Sequence, residues 1–244
     1  MPLLLNCDLG ESFGAWTMGH DKEVMPYIDQ ANIACGFHAG EPVVMKKTLL
    51  LAKQHGVAIG AHPSYPDLAG FGRRSIHMHP AEIIPLLQYQ IAALDGMAQS
   101  CGLQLEYVKP HGALYNDIML NGHIRSAVME AIAEYHLPLK FMLQATTDAE
   151  THKAEAAAFD IELLFEAFAD RRYENDGTLV SRNKPGAVLT QDEILGQVKQ
   201  IKENNHVTTA DGQSLLLEAD SLCVHGDNPD AIKTVSHIRE FLSQ

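Results

Sequence analysis

Polar motifs that could carry out catalytic chemistry follow seven apolar segments of this sequence. They combine carboxylates, imidazoles, a lysine and arginines, which are groups that transfer protons and bind anions. The motifs occupy residues 6–11, 35–38, 62–65, 109–112, 144–147, 166–171 and 225–227. A β/α barrel builds its active site from such groups at the C-terminal ends of its parallel strands. The pattern therefore indicates an enzyme.

The first motif places three polar side chains within six residues. Asn6 and Asp8 are two positions apart, so on a strand they face the same side, and Glu11 follows in the next turn of chain. Such an acidic group could orient water, bind a cation or act as a general base. The alternative is a solvated loop entry. A carboxylate at the end of an apolar strand is costly unless it is paired, which favours a functional role.

Two histidines directly follow predicted strands. His38 and His62 carry imidazoles that titrate near neutral pH and suit proton transfer or metal ligation. A single histidine is usually structural, but two at equivalent strand ends favour function. The sequence has no HExxH or HxxxH pair, so a divalent metal is compatible with it but is not indicated.

The motif that begins at Lys109 places a lysine, His111 and Tyr115 on one turn. A lysine at the end of a barrel strand can polarise a carbonyl or stabilise an oxyanion. A buried structural ion pair is the alternative role for Lys109. Glu166, at the end of the sixth predicted strand, is a further catalytic candidate.

Adjacent arginines mark the glycine-rich segment 70–74. Arg73 and Arg74 could make bidentate contacts with a carboxylate or phosphate, whereas the alternative is a turn with solvated arginines. Arg171 lies at a strand end and is their closest competitor. Asp227 follows the last predicted strand and could either belong to the site or, equally well, cap the helix that follows it. Besides the catalytic candidates Asp8, His38, His62, Lys109, His111 and Glu166, the predicted substrate-binding residues are Asn6, Glu11, Arg73, Arg74, Tyr115, Asp170, Arg171, His225 and Asp227.

The elements that must position these groups alternate between strands and helices. Alternation of this kind predicts a parallel sheet, here an α/β fold with an irregular, TIM-like barrel of seven strands in a single domain, residues 1–244. The predicted strands are 3–9, 30–35, 58–61, 107–109, 140–145, 162–168 and 222–224. The predicted helices are 42–55, 80–102, 121–136, 147–159, 190–204 and 229–242, and a hairpin joins 207–209 to 214–217.

Composition limits the partners of this chain. The 244 residues carry a net charge of -13, from 31 acidic and 18 basic residues, which disfavours nucleic acid and anionic membranes. No apolar run has the length of a membrane span, and the N-terminus does not resemble a signal peptide. The four cysteines are widely spaced, which fits reduced thiols in the cytoplasm. No glycine-rich phosphate loop follows a strand.

Seven segments of the chain together resemble the LamB/YcsF family. They read NCDLGE (6–11), NIACGFHAG (32–40), GAHPSYPD (60–67), GFGRR (70–74), VKPHGALY (108–115), FADR (168–171) and VHGD (224–227). The resemblance covers nearly the whole chain, and its motifs are long and specific. One departure is Glu41, where the family leads us to expect aspartate; the charge is conserved.

The resemblance implies a seven-stranded barrel related to the glycoside hydrolase and deacetylase barrels. It also implies an ATP-dependent 5-oxoprolinase, a cyclic-amide hydrolase that converts 5-oxo-L-proline, ATP and two waters to L-glutamate, ADP and phosphate. Two further subunits, B and C, are then expected as partners. Because this chain lacks a nucleotide loop, we expect those subunits to hold ATP or to help hold it.

The resemblance and the residue patterns combine into a hypothesis about roles. Asp8, His38 or His62 would activate water, and Lys109 and His111 would stabilise charge on oxygen. One of the predicted arginines would hold the carboxylate or phosphate. The main alternative is a stand-alone, metal-dependent hydrolase or deacetylase of a carbohydrate or amide, with Asp8, His38 and His62 as ligands. A non-enzymatic binding protein is a second alternative.

Overall fold

The computed structural model describes residues 2–181, 183–225 and 229–243. Within these ranges, seven parallel strands form a closed barrel in the order β1-β2-β3-β4-β5-β6-β9. Its strands are β1 Leu4–Leu9, β2 Gln30–Ala34, β3 Ala58–His62, β4 Leu105–Val108, β5 Lys140–Gln144, β6 Leu163–Phe168 and β9 Ser221–Cys223. The predicted fold class, an α/β barrel of seven strands, is confirmed.

Helices connect the barrel strands along the outside, and a small antiparallel hairpin precedes the last strand. The hairpin consists of β7 His206–Thr208 and β8 Ser214–Leu216, close to its predicted bounds. The helices are α1 Asp21–Val24, α2 Pro42–His55, α3 Pro80–Ser100, α4 Gly112–Leu120, α5 Gly122–Ala133, α6 Ala149–Ala157, α7 Gln191–Asn204 and α8 Pro229–Leu242, with a 3-10 turn at Met25–Tyr27. The sequence patterns did not predict α1 or α4.

Local sequence explains where the helices begin and end. Helix α2 has Pro42 in its first turn and ends at Gly56, which adopts the left-handed conformation with φ 67°. Helix α7 begins at the predicted capping box, in which the Thr190 backbone N–H donates to Glu193. No helix in the described ranges has the length and apolar character needed to cross a membrane.

Tyr107 fills the barrel interior beneath the predicted site residues. Its side chain is fully buried, and its hydroxyl donates to Asn32 Oδ1 at 2.7 Å. Gly60 is its register partner on β3, and a Cβ atom there would lie 2.1 Å from a carbon of the tyrosine ring. The absence of a side chain at residue 60 therefore makes room for the aromatic ring.

We expect Gly60→Ala to destabilise the chain by about 1–3 kcal/mol, because the added methyl group overpacks the barrel interior. Gly196→Ala is the matched control, since Gly196 lies within α7 with nothing within 4 Å of a Cβ atom. Alanine there should be neutral or stabilise by about 0.5–1 kcal/mol. Urea unfolding of both variants measures the difference, and equal stabilities would contradict the proposed close packing.

Candidate active site

Polar side chains from three adjacent strands bond to one another inside the barrel. Asn6 Nδ2 donates to Ser221 Oγ at 2.8 Å, and that hydroxyl donates to Gln30 Oε1 at 2.7 Å. Asn32 Nδ2 donates both to Asn6 Oδ1 and to Asp8 Oδ1, at 2.8 Å each. Asn32 is the register partner of Asp8, so the β1–β2 pairing itself brings the amide to the carboxylate. This network fixes the orientation of Asp8.

Lys109 lies between two carboxylates at the C-terminal end of the barrel. Its ammonium is 2.8 Å from Asp8 Oδ1 and 2.7 Å from Glu166 Oε1. Glu166 Oε2 accepts a hydrogen bond from the Tyr115 hydroxyl at 2.6 Å. Lys109 is 3% exposed and Glu166 is fully buried, so both charges depend on one another and on Asp8 for compensation.

The ion pairs hold Lys109 and Asp8 in their charged forms. Burial by itself would lower the pKa of Lys109, but Asp8, Cys223 and Glu166 outweigh it and raise the pKa well above its usual value. Burial by itself would raise the pKa of Asp8, but His62 and Lys109 outweigh it and hold that pKa well below its usual value. Asp8 is therefore a carboxylate at neutral pH, as a proton acceptor must be.

Three histidines meet beside Asp8. His62 Nε2 lies 3.4 Å from Asp8 Oδ2 and 3.0 Å from His111 Nδ1. The other ring nitrogens contact backbone carbonyls, with His62 Nδ1 2.7 Å from the Lys109 oxygen and His111 Nε2 2.9 Å from the Phe71 oxygen. Because a carbonyl oxygen only accepts, each of these nitrogens carries the hydrogen. The orientation of both rings is thus set by the backbone.

His38 packs face to face against His111, with ring centroids 3.7 Å apart and planes within 5°. It is 1% exposed, and neither of its ring nitrogens makes a hydrogen bond to any residue the structure describes. Burial lowers the pKa of His38 well below its usual value, and the charges of His62 and Arg73 add to the effect. Burial, with His38 and His62, lowers the pKa of His111 to about 2. Both rings are therefore neutral at physiological pH.

Four donor groups in this cluster could hold a metal ion. Single donor atoms of Glu11, His38, His62 and His111 all lie within 4.8 Å of one another. Glu11 Oε1 is 3.4 Å from His38 Nε2 and 3.7 Å from His111 Nδ1. Asp8, which the sequence placed among the alternative metal ligands, is instead bonded to Lys109 and Asn32.

The glycine-rich loop packs directly onto the histidines. Gly72 has φ 63°, and a Cβ atom there would lie 2.8 Å from His38 Cβ and 2.9 Å from His111 Cδ2. Its carbonyl accepts from the Ala113 N–H at 2.8 Å, at the start of α4. A side chain at residue 72 would thus displace the histidines, which explains why glycine is needed there.

The three predicted arginines lie in different environments. Arg74 forms an ion pair with Asp67, which is almost fully buried, while Arg74 itself is 67% exposed. Arg73 is exposed, and its guanidinium lies 5.1 Å from the centre of the Phe71 ring. Arg171 is buried and donates to the Val180 carbonyl at 2.7 Å. Arg73 is therefore the predicted arginine best placed to meet a ligand beside the histidines.

Asp170 and His225 form a second, partly buried pair. His225 Nδ1 lies 2.9 Å from Asp170 Oδ2. Phe168 and Cys223 are register partners at the ends of β6 and β9, and the pair lies two residues further along the chain, past the end of each strand. This position is at the same end of the barrel as the other predicted site residues. The predicted substrate-binding residue Asp227 falls outside the described residues.

Most of the predicted site residues join one connected network. It links Asn6, Asp8, Glu11, His38, His62, Lys109, His111, Tyr115 and Glu166 through the contacts above. Sequence reasoning missed Asn32 and Cys223, whose sulfur lies 3.6 Å from the Lys109 ammonium. A polar residue within an apolar strand, opposite Asp8, was the signal that could have found Asn32.

Comparison with known proteins extends these observations over the full chain. A model of the LamB/YcsF family matches residues 3–244. The chain is 54% identical to the 5-oxoprolinase A subunit of Vibrio cholerae serotype O1, over 98% of this chain and 97% of that protein. It is also 54% identical to the protein of the same name from Pseudomonas fluorescens, over 99% and 97%. The crystal structure of a lactam utilization protein from Thermus thermophilus superposes with a TM-score of 0.92 at 38% identity, covering 100% of this chain and 97% of that one.

Proposed function

Because this chain belongs to the LamB/YcsF family, we propose that it is the A subunit of an ATP-dependent 5-oxoprolinase. The reaction would open the lactam of 5-oxo-L-proline to give L-glutamate, with ADP and phosphate released from ATP. The observation that carries the proposal is the 54% identity to proteins named as the A subunit of 5-oxoprolinase, which extends over almost the whole chain. The likeness to a lactam utilization protein supports the same substrate class.

The chemistry of a lactam explains why ATP is needed. An amide carbonyl is a poor electrophile, and transfer of the terminal phosphoryl group of ATP to the lactam oxygen would activate the ring carbon and release ADP. One water then adds to that carbon, and the C–N bond breaks to leave an acyl phosphate and a free amine. A second water hydrolyses the acyl phosphate to glutamate and phosphate.

The geometry supports distinct roles for the site residues. Asp8 is a carboxylate beside His62, so this pair is the best candidate to accept a proton from water. Lys109, held by Glu166, places a positive charge where negative charge develops on oxygen. His38 and His111 are neutral imidazoles at the same place and are further candidates for orienting water or the substrate oxygen.

We further propose that ATP binds with or within the partner subunits B and C. This chain contributes no glycine-rich phosphate loop, and its net charge of -13 does not favour a nucleotide by itself. All four cysteines are buried thiols, which supports the proposed cytoplasmic location. We propose no nucleic acid or membrane partner.

The test is glutamate release from 5-oxo-L-proline, measured with this chain alone and together with its two candidate partners, with and without ATP. We expect turnover only when all three proteins and ATP are present. Turnover by this chain alone, without ATP and abolished by a chelator, would contradict the proposal. That result would favour the alternative function, a stand-alone metal-dependent hydrolase or deacetylase. The observation that supports this alternative is the cluster of possible metal ligands formed by Glu11, His38, His62 and His111.

Arg73 is expected to bind the anionic end of the substrate. Replacing it with alanine removes a charge-assisted contact worth about 1.5–3 kcal/mol, so the KM for 5-oxo-L-proline should rise roughly tenfold or more. Arg74→Ala is the matched control, because Asp67 already binds that guanidinium and the KM should change less. A normal KM and kcat for Arg73→Ala would leave Arg171 as the better candidate.

A further inference from the structure

The four donor groups beside Asp8 have the chemistry and spacing of a metal centre. Three imidazoles and one carboxylate are a donor set that zinc and its first-row neighbours bind. The separations of 3.0, 3.4 and 3.7 Å between donor atoms lie on either side of about 3.4 Å, the edge of a tetrahedron with bonds of about 2.0–2.1 Å. The widest separation in the set is 4.8 Å, so the side chains must move closer together for all four donors to reach one ion.

In their neutral forms, His62 and His111 would present two lone pairs to each other. Each ring donates its only hydrogen, in the neutral form, to a backbone carbonyl on its far side. The nitrogens that face one another, His62 Nε2 and His111 Nδ1, are then both acceptors at 3.0 Å. Two acceptors at that distance repel unless a cation or a proton lies between them. Backbone carbonyls that fix the outer nitrogen are also typical partners of metal-bound histidines.

His38 provides the second, independent observation. It is 1% exposed, and within the described part of the chain neither ring nitrogen has a hydrogen-bond partner. A buried ring nitrogen without a hydrogen bond is costly, and the nearest acceptor to His38 Nε2 is Glu11 Oε1 at 3.4 Å. A proton shared between His62 and His111 would not give His38 a hydrogen bond. A metal ion would engage one nitrogen of each of the three rings together. Because His38 lies flat against His111, its ring must tilt about the Cα–Cβ bond for Nε2 to reach the ion.

We propose that Glu11, His38, His62 and His111 bind one divalent transition-metal ion, with zinc the best match to these donors. His62 is the last residue of β3, and the other three ligands would come from the segments that follow β1, β2 and β4. The glycine-rich loop that packs on them would hold His111 in place through the Phe71 carbonyl. The inference goes beyond the proposed function, because the metal content of the chain does not depend on which reaction it catalyses.

The experiment begins with metal content. The chain is purified without a histidine tag, dialysed, and analysed for metals by mass spectrometry. It is then stripped with a chelator and titrated with Zn²⁺ by calorimetry. We expect one ion per chain in the purified protein, one binding event on titration, and a rise in the thermal unfolding temperature when Zn²⁺ is added.

Variants assign the ligands. Glu11→Gln and His62→Gln should each weaken Zn²⁺ binding by more than the roughly 10- to 100-fold that loss of an outer-shell partner costs. His123→Gln is the matched control, because His123 is an exposed histidine at the start of α5, and binding should be unchanged. Circular dichroism of each metal-free variant checks that it is folded.

Two results would overturn the proposal. The first is a folded wild-type chain that contains no metal and shows no Zn²⁺ binding by calorimetry. The second is Zn²⁺ binding that Glu11→Gln and His62→Gln leave unchanged, which would place the ion elsewhere. If a variant does not fold, Co²⁺ substitution of the wild-type chain decides instead: visible absorption bands of histidine-bound cobalt support the site, and the spectrum of hydrated Co²⁺ contradicts it. Neither readout uses 5-oxo-L-proline, so failure of the proposed function leaves this test intact.

Discussion

Replacing Asp8 with asparagine is expected to abolish turnover while the barrel stays folded. Asparagine has nearly the same shape and can still accept hydrogen bonds from Asn32 and Lys109, but it cannot take a proton from water. Loss of a positioned general base typically lowers the rate about 10²- to 10⁴-fold. The measurement is kcat for ATP-dependent glutamate release by the reconstituted complex.

Asp192→Asn serves as the matched control for this substitution. Asp192 is an exposed aspartate in the first turn of α7, and its replacement should leave kcat unchanged. The unfolding midpoint of each variant confirms that the barrel is intact. Activity of Asp8→Asn within about threefold of the parent, roughly 0.65 kcal/mol in the barrier, would remove Asp8 from the mechanism.

Replacing Lys109 with methionine is expected to have the largest effect on stability. The Lys109 ammonium compensates the charges of Asp8 and Glu166, and Glu166 is fully buried. Removal of the ammonium therefore leaves uncompensated negative charge inside the protein. Breaking a buried ion pair in this way costs about 3–5 kcal/mol. Urea unfolding measures the loss, and glutamate release by any folded fraction should also be abolished, because the charge that would stabilise oxygen is gone.

Two further variants separate charge from packing. In Lys109→Met/Glu166→Gln, one of the uncompensated carboxylates is also neutralised, so part of the lost stability should return. Lys140→Met breaks an exposed pair with Glu162 and should cost less than about 1 kcal/mol. A double variant as unstable as Lys109→Met alone would indicate that the lysine stabilises the chain by packing and not by its charge.

The order of the elements could be predicted from the sequence, and the reason is local. Buried parallel strands are short apolar runs, helices have their own periodicity, and prolines, glycines and capping boxes mark their ends. The barrel strands and the hairpin accordingly match their predicted places. Helix α4 was missed because Gly112–Leu120 follows the site motif without a side-chain cap, and its first residue has φ 58°. The short helix α1 was missed because its four residues are too few to show a periodic pattern.

The different environments of Arg73 and Arg74 could not be predicted from the sequence. Arg73 and Arg74 are neighbours with the same chemistry, so no pattern distinguishes them. Only the folded loop pairs Arg74 with the buried Asp67 and leaves Arg73 beside Phe71. The sequence also left two roles open for Lys109, a catalytic lysine or a member of a buried ion pair. The structure places Lys109 in ion pairs with Asp8 and Glu166 at the candidate site.

The sequence by itself determined which kinds of side chain lie at the C-terminal end of the barrel, since polar residues that end apolar strands must meet there. The tertiary structure alone decided how they combine. Glu11, His38, His62 and His111 are separated by up to a hundred positions along the chain, and no short metal motif connects them. Closure of the barrel brings their donor atoms within 4.8 Å. Pairings of this kind depend on ångström-scale distances between strands, which the spacing of residues along the chain does not encode.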